Sequence, residues 1–155
     1  MENKKITMTK DQLFKVMRLS EQENEKGENT NIKTNSGFKG MVSTLLHSQT
    51  QVHIFHLQTK SYSEHKALQG YYEGIDVLVD GIIESYQGKY DIIKQYESFK
   101  PEDYKSTEQV INYFKSLDDM IDKNRKSVKE SYIQNQIDTV QELLYSTLYK
   151  LKFLK

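Results

Sequence analysis

Cysteine is absent from the 155-residue chain, so disulfide scaffolds, thiol catalysis and cysteine-based zinc sites are excluded. Proline occurs once, at Pro101, and glycine seven times. So few breakers favour a small number of long helices over many short strands. No apolar run approaches the roughly 20 residues that a membrane span needs. The opening Met1-Glu2-Asn3-Lys4-Lys5-Ile6-Thr7 has no apolar stretch behind it, so a signal peptide is not expected. An excess of one charge is missing too. The 22 basic and 22 acidic side chains cancel, which argues against a protein built chiefly to coat nucleic acid. Hydrophobic residues make up only 36%, against about 45–50% in an average globular domain. The core is therefore expected to be thin or completed by a neighbouring subunit. The length suits one domain, and a soluble, cytoplasmic protein is the expectation.

What is present reads as all-α. Residues 1–37 are expected to hold a short helix over 9–21, opened by Thr9-Lys10-Asp11-Gln12. A mobile polar loop over 22–37 follows. From Phe38 to Gln58, the residues Phe38, Met41, Val42, Leu45, Leu46, Gln49, Val52 and His56 fall on one helical stripe. A second helix is expected after Ser63 as N-cap and should run to Gln87, with Gly88 as the stop. It carries Leu68, Tyr72, Ile75, Val79, Ile82, Ile83 and Tyr86, and Gly70, Gly74 and Gly81 inside it read as close-packing points. A connection over 89–105 is expected to contain one helical turn around Tyr90–Tyr96. Ser106 then caps a third helix to Lys129, and a fourth runs from Glu130 to Leu154. Four long helices with one long crossover over 38–155 predict a four-helix bundle of the ferritin-like kind.

All four histidines, His47, His53, His56 and His65, lie in one short stretch. His47 points about 180° away from the first helix's stripe and reads as solvated. His56 lies at the stripe's centre, with His53 about 60° to one side. A core-facing imidazole must have its ring nitrogens hydrogen-bonded or metallated. One reading is a buried histidine satisfied by a tyrosine or a carbonyl; the other is a metal ligand. On the second helix, Gln69, Asp76, Asp80 and Glu84 lie within about 100° of His65 and form a polar seam. Asp80 and Glu84 are one turn apart on one side. Carboxylates with imidazoles suit iron, manganese or zinc. His65 and Asp80 are separated by roughly 22 Å of helix, so they cannot hold one ion within a single chain. Two copies of this helix, antiparallel across a two-fold axis, would bring them together in two equivalent sites.

This order of residues resembles the Dps family, the ferritin-like miniferritins. His56 matches the histidine near the end of that family's first helix, and His53 a second histidine found in some members. His65 matches the histidine in the first turn of the second helix, and Asp80 and Glu84 the family's acidic pair. Leu148 to Leu154 resembles the family's final helix. The coarse likeness spans about 38–154, and its specific content lies in 53–84. The resemblance implies iron binding and storage in a homo-oligomer of two-fold dimers forming a dodecameric shell. It also implies Fe(II) oxidation at an intersubunit ferroxidase centre, with dioxygen or hydrogen peroxide as oxidant. His56, His65, Asp80 and Glu84 would be catalytic, and His53 and Gln69 would join them as metal ligands, for iron or, in the same site, zinc or manganese. Three departures stand out: Gln69 replaces the family's aspartate, the turn between the histidines is about three residues shorter, and Leu57 stands where the family has tryptophan. No Glu-x-x-His occurs, so an intrachain carboxylate centre is not expected. The rival expectation is a non-enzymatic structural or interaction protein on the same bundle, such as a phage-encoded branch with a vestigial site. DNA protection is the weakest reading, because terminal lysines sit on a chain of zero net charge.

Overall fold

A computed structural model describes residues 37–154 of the chain. The short helix expected over 9–21 and all but the last residue of the polar loop lie outside the described residues. Among the described residues there are four α-helices, one 3-10 turn and no strand. The helices are α1 (Phe38–Gln58), α2 (Tyr62–Lys89), α3 (Thr107–Asn124) and α4 (Ser131–Phe153). None of them is long and apolar enough to cross a membrane.

The helix ends have identifiable causes. Gly37 precedes α1 with φ 95°, a left-handed conformation that favours glycine. Its N–H donates to Asn124 Oδ1 at 2.7 Å, which ties the start of α1 to the end of α3. The start of α2 corrects one expectation: Ser61, not Ser63, is the cap, and Ser61 Oγ accepts the Glu64 N–H at 3.3 Å. The spacing Ser61-x-x-Glu64 is a capping-box signature. Gly88 does not stop α2, which continues to Lys89. Ser106 caps α3 as expected, accepting the Gln109 N–H at 3.2 Å. That helix ends at Asn124, short of the expected Lys129, and passes into the 3-10 turn Arg125–Ser127. Polar side chains stabilise this corner. Asn124 Nδ2 donates to the Met120 carbonyl at 2.8 Å, and Gln134 Nε2 donates to the carbonyls of Arg125 and Val128 at 2.8 and 2.7 Å. The Arg125 carbonyl also accepts the Val128 N–H at 3.2 Å, so side chain and backbone together close the turn.

The helices close into a ring: α1 packs on α2, α2 on α4, α4 on α3, and α3 on α1. One continuous core fills the middle, with Met41, Leu45 and Val52 from α1 meeting Leu68, Ile75 and Ile82 from α2. Phe114 and Leu117 from α3 and Ile137 and Leu144 from α4 complete it. The expected stripes are buried apart from Leu46, Gln49, Tyr72 and Tyr86, which are half-buried at the margin. Phe55 and Tyr71 are core residues that the stripes did not include. Gly74 and Gly81 of α2 face α4 as expected of close-packing points, whereas Gly70 is exposed and a Cβ there would meet only Lys150 Nζ at 3.9 Å. A Cβ at Gly74 would stand 3.3 Å from Leu143 Cδ2, and one at Gly81 3.6 Å from Gln136 Nε2.

The connection from 90 to 106 contains no helical turn, contrary to the expectation at Tyr90–Tyr96. Its second half runs as a strap along α1. Phe99 stacks on His47 with ring centroids 4.9 Å apart. Gln51 pairs with the backbone of Glu102 through bonds of 2.7 and 2.8 Å. Gln58 binds Asp103 Oδ1 at 2.9 Å and accepts the Tyr104 N–H at 2.6 Å. The lengths agree: from His47 to Gln58 a helix rises about 17 Å, and from Phe99 to Tyr104 an extended chain also covers about 17 Å. His47 is therefore half-covered by the strap rather than solvated.

Two outcomes are expected from this packing. Gly81→Ala should raise stability by about 0.5–1 kcal/mol, the helix-propensity gain, because its Cβ meets only ordinary contact distance. Gly74→Ala should gain less or lose, because Leu143 must give way; urea unfolding of both variants measures the difference. His47 should titrate below the ordinary imidazole value, because burial disfavours the charged ring and Glu97 only partly opposes this. The unfolded chain then takes up the proton first. Stability is therefore full above about pH 6.5, the ordinary value, and declines as pH drops below it. NMR titration of His47 checks this, and Glu97→Gln should lower its midpoint further.

Candidate metal centre

The end of α1 and the start of α2 are joined by only three residues, 59–61. His56 stands in the last turn of α1, where backbone carbonyls have no partner further along the helix. The Phe55 carbonyl is satisfied by the Thr59 N–H at 2.9 Å. The His56 carbonyl is satisfied differently, by Nδ1 of His65 across the turn at 3.0 Å. The relation is reciprocal, since His56 Nδ1 bonds the His65 carbonyl at 2.9 Å. The two rings stack with centroids 3.6 Å apart and planes 24° apart.

This geometry assigns the tautomers. A carbonyl oxygen only accepts, so both Nδ1 atoms must carry the proton. In a neutral imidazole the other nitrogen, Nε2, then bears the lone pair. Metal-binding histidines are held in this way, with one nitrogen donating to a carbonyl and the other facing the ion. The same bonds also satisfy the first sequence reading, in which a carbonyl serves a buried histidine. His56 is only 6% exposed, and His65 is half-buried. Beside the pair, the exposed His53 stacks on Tyr72 at 4.2 Å and lies 5.8 Å from the His56 ring. Tyr72 meets His56 edge-on at 5.0 Å.

The remaining expected ligands lie elsewhere. Gln69, one turn beyond His65, is engaged in a surface chain. It accepts from Lys66 Nζ, and its Nε2 donates to Glu73 Oε1 at 2.7 Å. Asp80 and Glu84 are exposed further along α2, roughly 22 Å from His65 along the helix in the case of Asp80. Within one chain, then, the structure gathers His53, His56 and His65 and leaves the carboxylates apart. Among the described residues no three His, Asp or Glu side chains of one chain converge to hold an ion.

One residue at this site escaped the sequence reading. Glu64 is only 4% exposed. Its Oε2 accepts hydroxyl bonds from Thr59 at 2.9 Å, Tyr104 at 3.1 Å and Thr107 at 3.1 Å. Its Oε1 is buried without a partner. A buried carboxylate is costly unless its charge is offset, and among the described residues no cation pairs with it. Instead it sits in the first turn of α2 and touches Thr107, the first residue of α3. Two positive helix N-termini and three hydroxyl donors converge on one anion. The available signal was the capping spacing from Ser61 to Glu64.

Residues 56–151 match a family of unknown function (DUF5856). No curated protein and no solved structure matches the chain. The tautomer assignment can be checked directly. In the metal-free protein at about pH 8, above the ordinary imidazole value, 15N NMR should find protonated Nδ1 and unprotonated Nε2 at His56 and at His65. The opposite tautomer at either ring would refute the reciprocal bonds.

Proposed function

The chain belongs to this family of unknown function, and we infer that it is a ferritin-like protein that binds and oxidises Fe(II). The observation that carries this reading is the reciprocal histidine pair, two stacked rings at a helix hairpin whose bonds to carbonyls run through Nδ1 and leave an Nε2 lone pair on each. Two neutral imidazoles are suitable donors for Fe(II), zinc or manganese. The ring order of the helices, with the long connection between α2 and α3, is consistent with a ferritin-like bundle. The likeness of His56, His65, Asp80 and Glu84 to the Dps pattern supports the same reading.

In this proposal Fe(II) is the substrate. His56 and His65 hold it, with His53 and Tyr72 flanking. The exposed Asp80 and Glu84 of the partner subunit approach across a two-fold axis and offset the cation's charge, more strongly once it is ferric. With hydrogen peroxide as oxidant, two Fe(II) ions each lose one electron. The peroxide takes both electrons and two protons and leaves as two waters. Stored iron would then occupy the interior of a closed oligomer. Gln69 supports a second reading. Its engagement with Lys66 and Glu73 leaves no charged ligand one turn beyond His65. On that reading the histidine pair is only a clamp on the hairpin of a structural or interaction protein.

Anaerobic Fe(II) titration, with native mass and metal content on the same sample, separates the two. Wild type should bind iron as a multimer. His65→Ala should lose more than the roughly 10–100-fold that removing a ligand's outer hydrogen bond costs. Asp80→Asn with Glu84→Gln should slow oxidation and leave the metal-free tautomers unchanged. An oligomer that takes up no iron or zinc, or oxidation unaffected by His65→Ala, would leave only the clamp.

A further inference from the structure

We propose that Glu64 is the positioning residue for the His56–His65 pair, setting the register between the last turn of α1 and the first turn of α2. The reciprocal imidazole bonds run between these two turns, so their lengths depend on how far one turn is shifted along the other. The three-residue connection limits that shift, but no main-chain hydrogen bond between the two turns fixes it. The main-chain bonds at the hairpin are local, from Thr59 to Phe55 and from His65 to Ser61. Side chains must do it.

Glu64 is the neighbour of His65, and its Oε2 is bonded from three separate segments: the turn through Thr59, the strap through Tyr104 and α3 through Thr107. Three attachment points on different elements hold the first turn of α2 against translation and rotation. Tyr104 closes the loop. Its N–H donates to Gln58 in the last turn of α1 at 2.6 Å, and its hydroxyl donates to Glu64 at 3.1 Å. Glu64, Tyr104 and Gln58 thus form a second crosslink between the same two turns that the histidines join. The capping role open to Glu64 is not used. A capping-box glutamate reaches back to the N-cap N–H, but the Ser61 N–H is directed at Thr59 Oγ1, 3.2 Å away. Burying a carboxylate with one oxygen unpartnered is a costly way to cap a helix that Ser61 already caps. It is a reasonable way to fix a register.

The inference rests on the metal-binding reading only for its second readout. The first is the tautomer state of His56 and His65 in the full-length, metal-free protein, read by 15N NMR at about pH 8, where free imidazole is neutral. The second is Zn(II) affinity, with Zn(II) chosen because it is redox-silent. Glu64→Ala should mix the tautomers of both rings and weaken Zn(II) binding by about 10–100-fold, as for a lost outer-shell partner. Glu64→Gln keeps an acceptor oxygen and should restore most of both signals. Leu144→Ala, a core truncation on α4, should lower stability and leave both unchanged. Should Glu64→Ala fail to fold, Tyr104→Phe with Thr107→Val removes two of the three donors and should give the same mixing. Pure Nδ1–H tautomers in Glu64→Ala or in that double variant would overturn the inference, as would equal mixing in Leu144→Ala. A wild type with locked tautomers that ignores Zn(II) would remove the metal reading and leave positioning to be decided by the tautomers alone.

Discussion

Two hydrogen bonds, each from an imidazole Nδ1–H to the other residue's carbonyl, are the constraint on which the rest of this site depends. Without them the His56 carbonyl at the end of α1 would lose its partner in a largely buried setting, a loss of about 1–3 kcal/mol. With them, each ring is fixed in orientation and in tautomer at once. Donation from Nδ1 decides that Nε2 is the nitrogen available to a cation. A structural need, filling a carbonyl at a helix end, and a chemical capacity, presenting a lone pair, are met by the same bond.

The long connection serves this end of the molecule. Such a segment is often only a route between distant helices. Here its second half is fastened along α1 by Gln51 and Gln58 and by the stack of Phe99 on His47. Near its end Tyr104, with Thr107 at the start of α3, reaches Glu64 through a side-chain hydroxyl. Fixed donors and an offset buried anion surround the hairpin, while the rest of α2 keeps its carboxylates exposed. That division suits the proposed intersubunit centre: the imidazoles are set within one chain, and Asp80 and Glu84 remain accessible to another.

Most of the fold was legible because amphipathic stripes and serine caps are local signals. Phe38 to Gln58 was read with its observed bounds, and Ser106 was read as the cap it is. The errors came where non-local contacts won. α3 ends early at Asn124, whose Oδ1 accepts the N–H of Gly37 from 87 positions away. His47 has an outward angle on its own helix, and only the strap covers it. Ser63 and Ser61 are both plausible caps by residue type, and Glu64, three residues after Ser61, was the discriminating signal.

The sequence by itself determined an all-helical chain, the clustering of three histidines at one hairpin, and the one-turn spacing of Asp80 and Glu84. Helical periodicity and chain length suffice for those. Tertiary structure alone decided which carbonyl each imidazole meets, hence the tautomers, and that Glu64 is buried among hydroxyls from three segments. Those facts depend on the approach of residues such as Glu64 and Tyr104, 40 positions apart, and no local pattern encodes such a meeting.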